Sequence, residues 1–560
     1  MMDLLLAMLR GLTAFLVANG MSVILPAGEL GFRRMQPMSW IWIAAFAAVW
    51  AALRWAHKVH TGRKQAFVFA VFCTLTTLVG YYFKTWKSFR AVCSGPGSYF
   101  NYGCHFLAVF VVSGCAALAV LAYASRVESA PKELPRGRKT LIFIGVFALL
   151  LVCWLPWFLY QYPGNLSPDS YNQIGQAVGK TDLSNNHPVL HTLWIRLLIT
   201  IGGSEQAGTA LYSITQLLLM ASVFALCVLF IYTRTGSVKA AGLTLLYFAF
   251  YPVHPIYGMT MWKDIPFSIC LLAITMVLVR VTEEQRPRDI RLLAGLCLLL
   301  CLLRHNGILI FVPVLIYMLC RYQESRRVIL TAGLTALGCF ALIELVLIPV
   351  CGVKAGRGSE GFSIPLQQVA YTVRTHLDEI PEEDLETVRY YFGGTNVWEI
   401  YRSHISDPVK AAFAEDRFNA DPMPFVRLWW DLGMKYPKNY LESFLAGCYG
   451  YYAPEAEYTV FSHGGSGSIQ LPGMSALETF LTELQYHSIP VISWIFNPGA
   501  CCWLCLPALL CARLRKRPLL PHLPVLILWI MMVGSPVFCE YRYVYGAFLC
   551  LPLLLSLGLA

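Results

Sequence analysis

Apolar and polar positions along this chain are sorted into long blocks rather than short amphipathic periods. Apolar runs recur near residues 4–25, 39–54, 66–83, 105–124, 140–160, 207–232, 240–254, 264–280, 292–303, 306–320, 328–350, 489–511, 519–535 and 541–558. A run of about 17–25 apolar residues is what an α-helix needs to cross a hydrocarbon core of about 30 Å. The pattern predicts an all-α polytopic membrane protein with about fourteen transmembrane helices. Two of the runs, 240–254 and 292–303, are short and require local thinning or shifted ends. The blocks divide the chain into an N-terminal four-helix membrane region (1–139), a membrane core with a first large polar loop at 161–206 (140–350), a polar and mostly helical domain (351–488), and three final transmembrane helices (489–560).

Composition agrees with the pattern. Of 560 residues, 57% are hydrophobic and only 13% charged, where a soluble protein carries about a quarter charged. The net charge of +11 raises the question of nucleic acid. The basic residues, however, sit in short clusters between apolar runs, which is a topology signal rather than a nucleic-acid surface. The first run has no small-residue cleavage pattern and reads as a retained helix. Most of the 19 cysteines lie inside apolar runs and read as small hydrophobes. Cys501, Cys502 and Cys505 have the look of a zinc cluster but belong to such a run. Cys93 and Cys104 flank one loop and are a candidate disulfide if that loop is outside.

The basic clusters orient the bundle. One set of connecting loops, including Arg54–Lys64, Arg126–Lys139, Arg280–Arg291 and Arg513–Arg517, holds twenty-two Lys and Arg residues; the alternate short loops hold nine. The positive-inside rule makes the first set cytoplasmic, along with both termini. The alternation requires that Val189–Ile201, only thirteen residues long, does not cross. Both large polar segments then face outward, at the outer side of a cytoplasmic membrane.

That orientation collects the unusual polar residues at one face. They are Asp169, His187 and His191 in the first loop, His254, Lys263 and Asp264 in "YPVHPIYGMTMWKDIPF", Arg304, His305 and Asn306 in "LLRHNGIL", Gln367 and Gln368 in "IPLQQ", and Glu540 and Arg542 in "PVFCEYRYVYG". Each has a structural reading. Arg304 could snorkel from a helix end, Lys263 and Asp264 could pair with other loop residues, and Arg542 among Tyr541, Tyr543 and Tyr545 could belong to an aromatic belt. Together they suggest chemistry on an anionic lipid. Lys and Arg near the interface hold phosphate or pyrophosphate, and a neighbouring carboxylate takes a proton from an acceptor hydroxyl or amine. There is no Walker loop and no GxGxxG.

The order of these motifs resembles the GT-C superfamily of polytopic glycosyltransferases, which includes protein O-mannosyltransferases and lipid A aminoarabinose transferases. Its carriers are "SPDS" with Asp169, "NNHPVLH" with His187 in place of a His-Pro-Pro-Leu-like motif, "WKDIP", "RHNG" and "EYRYVYGAFLCLPLLL". Here Val189 replaces the second proline of the His-Pro motif. The resemblance spans about 140–350 and 489–560. It implies inverting transfer of a sugar from a polyprenyl-phosphate donor to a cell-envelope glycan, lipid or protein. By motif position Asp169 is the general base. Lys263, Arg304 and Arg542 neutralise the donor phosphate, and His187 hydrogen-bonds donor or acceptor. Asp264 orients Lys263 or helps to hold a divalent metal, although the sequence carries no complete metal-ligand set. Asp182 and His191 have no assigned role.

Two other classes fit less of the sequence. A transporter or flippase of lipid-linked saccharides needs polar groups along a midplane path, and Glu344 in "ALIELVLIP" is the intramembrane acid that points that way. A receptor or assembly scaffold needs a signalling domain, and no cytoplasmic segment resembles one.

Overall fold

The computed structural model describes residues 2–24, 39–84, 96–128, 130–356, 358–403, 405–454, 471–486, 493–534 and 539–559. Among them all regular structure is helical, apart from three isolated β-bridges. The chain opens with α1 (Met2–Ile24), α2 (Trp40–Lys58), α3 (Arg63–Lys84), α4 (Pro96–Ala124) and α5 (Arg136–Tyr160). Two short loop helices follow, α6 (Pro168–Ala177) and α7 (Val189–Gly202), then α8 (Glu205–Thr235), α9 (Val238–Phe250), α10 (Val253–Met259), α11 (Asp264–Glu284), α12 (Pro287–Leu303), α13 (Ile308–Arg321) and α14 (Arg326–Leu342).

Seven helices among the described residues are long and apolar enough to cross a membrane: Arg63–Phe83, Phe100–Ala124, Arg136–Tyr160, Glu205–Thr235, Asp264–Glu284, Arg326–Val350 and Tyr541–Leu559. The other seven apolar runs are also helical but shorter or less apolar. At 1.5 Å per residue, the 14-residue α7 is shorter than the about 30 Å of a hydrocarbon core, as are α9 and α13 at 13 and 14 residues.

Two predicted boundaries are wrong for local reasons. The run 240–254 stops at Phe250, because Pro252 and Pro255 interrupt it and the chain turns into α10. The run 489–511 begins as a continuous helix only at Pro498, where Asn497 caps it by accepting from the Ala500 amide (3.1 Å). The proposed Cys93–Cys104 pairing lies outside the described residues. Cys501, Cys502 and Cys505 are buried thiols within the helix Pro498–Leu514.

α7 and α8 pack through facing glycines. A Cβ on Gly208 would lie 2.5 Å from the Ile199 Cα, and one on Gly202 would lie 2.7 Å from the Gly208 nitrogen. Gly208→Ala therefore has to push two backbones apart, at a cost of roughly 1–3 kcal/mol. It is expected to lower the melting temperature in detergent. Gly242→Ala, on α9 with open space around it, should leave the melting temperature unchanged; equal melting of the two variants would contradict the packing.

The polar segment beyond residue 351 contains α15 (Ser363–Thr375), α16 (Glu382–Tyr391), α17 (Met423–Lys435), α18 (Pro437–Cys448) and α19 (Met474–Tyr486). Leu366, Val373, Val388, Phe392, Phe425 and Leu432 form part of its own buried cluster. The chain closes with α20 (Pro498–Leu514), α21 (Leu523–Gly534) and α22 (Tyr541–Leu559). α22 packs against α11 and α20. Arg515 joins the N-terminal region to this end, donating to the carbonyls of Ala124 (2.5 Å), Val127 (2.7 Å) and Leu559 (2.8 Å).

Candidate functional site

Asp169 is the second residue of α6, and the chain before it is locked in place. Gly164 has a φ of +147°, and a Cβ there would fall 2.3 Å from Ser213 Oγ, so the turn needs glycine. Asn165 then forms a two-rung bridge: its amide donates to the Met259 carbonyl (2.9 Å) and its carbonyl accepts from the Met261 amide (3.1 Å). Ser167 and Ser170 cap each other across the first turn of α6. Ser170 also donates to the Met261 carbonyl (2.9 Å), and Trp262 Nε1 donates to Ser167 Oγ (2.7 Å). The stretch carrying Asp169 is thus bonded to the stretch that ends in Lys263 and Asp264.

The same framework is held from below by a buried polar chain. His191, unassigned from sequence, places Nδ1 3.1 Å from Gln173 Oε1 and Nε2 2.7 Å from the Tyr212 hydroxyl. Tyr212 donates to Gln216 Oε1 (2.9 Å), and Gln216 Nε2 donates to the carbonyls of Tyr257, Gly258 and Thr260 (3.0, 3.0 and 2.9 Å). Every residue from Val253 to Trp262 is buried. His254 is likewise a packing residue, with Nδ1 2.7 Å from the Tyr545 hydroxyl.

Tyr545 and Tyr541, one turn apart, fix the start of α22. Tyr541 meets the Tyr251 hydroxyl at 2.8 Å. Both tyrosines are fully buried, which rules out the aromatic-belt reading for this pair. Arg542 is thereby presented to Asp169, with Nη1 2.9 Å from Oδ2. It also pairs with Glu540 and donates from Nη2 to the Tyr543 hydroxyl (3.0 Å). Its guanidinium lies 4.8 Å from the ring centres of both Trp262 and Tyr543.

Arg304 approaches the same tyrosine ring (5.2 Å) and pairs with Asp264 (2.8 Å). With side-chain exposures of 12% for Arg304 and 2% for Asp264, this is no snorkelling arginine. It also means that Asp264 is engaged with Arg304 rather than serving Lys263 alone. Lys263 Nζ lies 2.8 Å from His187 Nδ1.

All six predicted site residues therefore converge, although their pairings were not foreseen. Glu540 was noted only as an outer polar residue, and its place beside Arg542 in "EYR" was the available signal. Nothing in the sequence indicates that Tyr543 lies between two guanidiniums. Asp182 stands apart in an exposed pair with Lys354 (2.7 Å).

The electrostatics follow from this crowding. Burial raises the Asp169 carboxyl, but Arg542, Lys263 and His187 outweigh it and hold it below the usual carboxylate range. Burial and then Lys263 push His187 down to about 4, leaving the imidazole neutral at physiological pH. Burial lowers the Lys263 ammonium and raises the Glu540 carboxyl, partly offset in each case by neighbouring opposite charges. Among the described residues no group of three His, Cys, Asp or Glu side chains is placed to hold a metal ion.

Glu344 is not an isolated intramembrane acid either. It sits in a π-helical stretch, Ile343–Leu347. It accepts from Asn185 Nδ2 (2.8 Å), while Asn185 Oδ1 lies 3.2 Å from His305 Nε2. Asn185 and His305 adjoin the loop and turn that carry His187 and Arg304, so Glu344 extends the same polar cluster.

One family profile matches residues 176–558. The chain belongs to DUF6020, a family of unknown function. No curated protein and no solved structure matches it. The DUF6020 region begins inside α6. It takes in His187, Lys263, Asp264, Arg304, Glu540 and Arg542, and it leaves out Asp169 and the first five helices.

Proposed function

We propose that this DUF6020 protein is a GT-C-like membrane glycosyltransferase, moving a sugar from a polyprenyl-phosphate donor to an acceptor at the outer face of a cytoplasmic membrane. In this reading the chain crosses about fourteen times with both termini cytoplasmic, and residues 351–488 form an extracytoplasmic domain. The twenty-two to nine split of basic residues supports that orientation.

The observation that carries the proposal is the pairing of Asp169 with Arg542, with Lys263 acting on the same carboxylate and Arg304 sharing the Tyr543 ring with Arg542, drawn from four distant segments to one end of the bundle. An acceptor hydroxyl or amine attacks the anomeric carbon, and the bond from that carbon to the phosphate oxygen breaks with inversion. The acceptor proton passes to Asp169, and polyprenyl phosphate departs onto the cations. In the resting arrangement Arg542 makes Asp169 a weak base. An incoming phosphate competes for that guanidinium and frees the carboxylate to take the proton. Neutral His187 accepts from Lys263 and keeps an imidazole N–H for the sugar or acceptor.

Purified protein in liposomes, given polyprenyl-phosphate sugars and cell envelopes from a strain lacking the chain, should release polyprenyl phosphate and glycosylate an envelope component. Movement of intact donor across the bilayer without cleavage would instead establish the transport reading. Glu344 offers that reading little support, since its partners belong to the cluster at the site's end of the bundle.

A further inference from the structure

α17 is apolar on two opposite faces. Phe425, Leu428 and Leu432 are buried in the polar segment's core. Met423, Val426, Trp430 and Met434 follow one another at intervals of three, four and four residues. At about 100° per residue they fall within roughly 80° of one another, on the side away from the core. All four are exposed, Trp430 at 60% and Met434 at 69%. Arg427, Asp431 and Lys435 occupy the flank between the faces and are exposed. A surface helix of a water-soluble domain has one apolar stripe; a second, centred on tryptophan, needs a cover of its own.

The position of α17 says what that cover is. Gly433 packs against Tyr440 of α18, where a Cβ would meet the ring at 2.9 Å, and the Trp429 and Tyr440 rings lie 6.0 Å apart. α18 in turn is fastened to the end of a membrane-crossing helix. Tyr82, near the last turn of α3, donates to Glu442 Oε1 (2.6 Å), and Phe83 stacks on Tyr449 at 5.3 Å. Farther along, Cys448 and Tyr452 are buried with Val79 of α3 and with Trp529 and Val533 of α21. Leu441, next to the tethering Glu442, is itself exposed. The α17–α18 pair is therefore anchored where membrane helices end, and it carries exposed apolar residues.

We propose that the Met423–Val426–Trp430–Met434 face of α17 is seated in the lipid–water interface of the membrane, as an in-plane amphipathic contact. Tryptophan favours that depth. Arg427 and Lys435, against Asp431 on the exposed flank, suit anionic phospholipid headgroups, while Lys438 on α18 pairs with Glu442 (3.8 Å). The contact fixes the height of the polar segment above the bilayer, independently of which side it occupies and of the reaction proposed above.

The test uses the full chain in phosphatidylglycerol-containing nanodiscs. The chain has 15 tryptophans, so the Trp430 signal is taken as the difference between wild-type and Trp430→Phe emission. An interfacial helix lies about 5–10 Å into the headgroup–acyl boundary, so lipids brominated high on the acyl chain should quench that difference by roughly half. Aqueous iodide should leave it nearly unchanged. Quenching by iodide but not by bromolipid overturns the proposal. So does protection from both quenchers, which would place a second copy or another protein surface on this face.

Discussion

Asp169→Asn should lower sugar transfer by about 10²- to 10⁴-fold, the usual contribution of a positioned general base, while leaving insertion and melting temperature close to wild type. The carboxylate is 39% exposed, so it is not a structural keystone. Asparagine keeps an oxygen that can accept from Arg542, and Arg542 keeps Glu540. What the substitution removes is the only property the mechanism needs, the ability to take the acceptor's proton. Measured as polyprenyl phosphate released per unit of folded protein, the loss should appear at saturating donor. Because a neutral amide at this position no longer competes as a charge for Arg542, donor binding should hold or tighten. Transfer at the wild-type rate would remove Asp169 from the mechanism. A variant that loses donor binding and transfer together would make Asp169 a binding residue.

The broad architecture was readable because a lipid-facing backbone has to satisfy its own hydrogen bonds. Among the described residues each long apolar run accordingly contains a helix. Where the reading failed, a local device intervened. The prolines at 252 and 255 ended one run early, and the Asn497 cap started another late. The sequence order of Asp169, Lys263, Arg304 and Arg542, together with their common side, suggested one site. It could not suggest that Arg542, 373 positions away, contacts Asp169 at 2.9 Å. It also treated the arginines as open phosphate binders, whereas each already holds a carboxylate. Opposite charges from remote segments leave no periodic trace, and neither does the π-helical stretch that turns Glu344 toward Asn185. The DUF6020 match starting at residue 176 adds a contrast of its own. The cations lie within the family's extent, but the proposed base is supplied by the segment just before it.

Asp264→Ala should be the most destabilising single change in the site. It leaves the Arg304 guanidinium buried without its carboxylate, and breaking such a pair from one side costs about 3–5 kcal/mol. The aromatic faces of Phe267 and Tyr543, at 5.3 and 5.2 Å, recover only part of this, since cation–π contacts contribute about 0.5–2 kcal/mol each. Arg304→Met should cost less. Asp264 opens α11, where the helix dipole stabilises an anion, and Lys263 is beside it. The double variant Asp264→Ala with Arg304→Met removes both charges and should be more stable than Asp264→Ala alone. A thermal-denaturation cycle in detergent should therefore return a favourable coupling between the two residues. Additive losses would mean that the pair is screened by water and that the site is open at Arg304. In the expected case Arg304 is a held charge, and a donor phosphate reaches it only by sharing it with Asp264. Transfer should then fall in Arg304→Met through a raised KM for donor, with kcat less affected, a split that loss of fold alone would not produce.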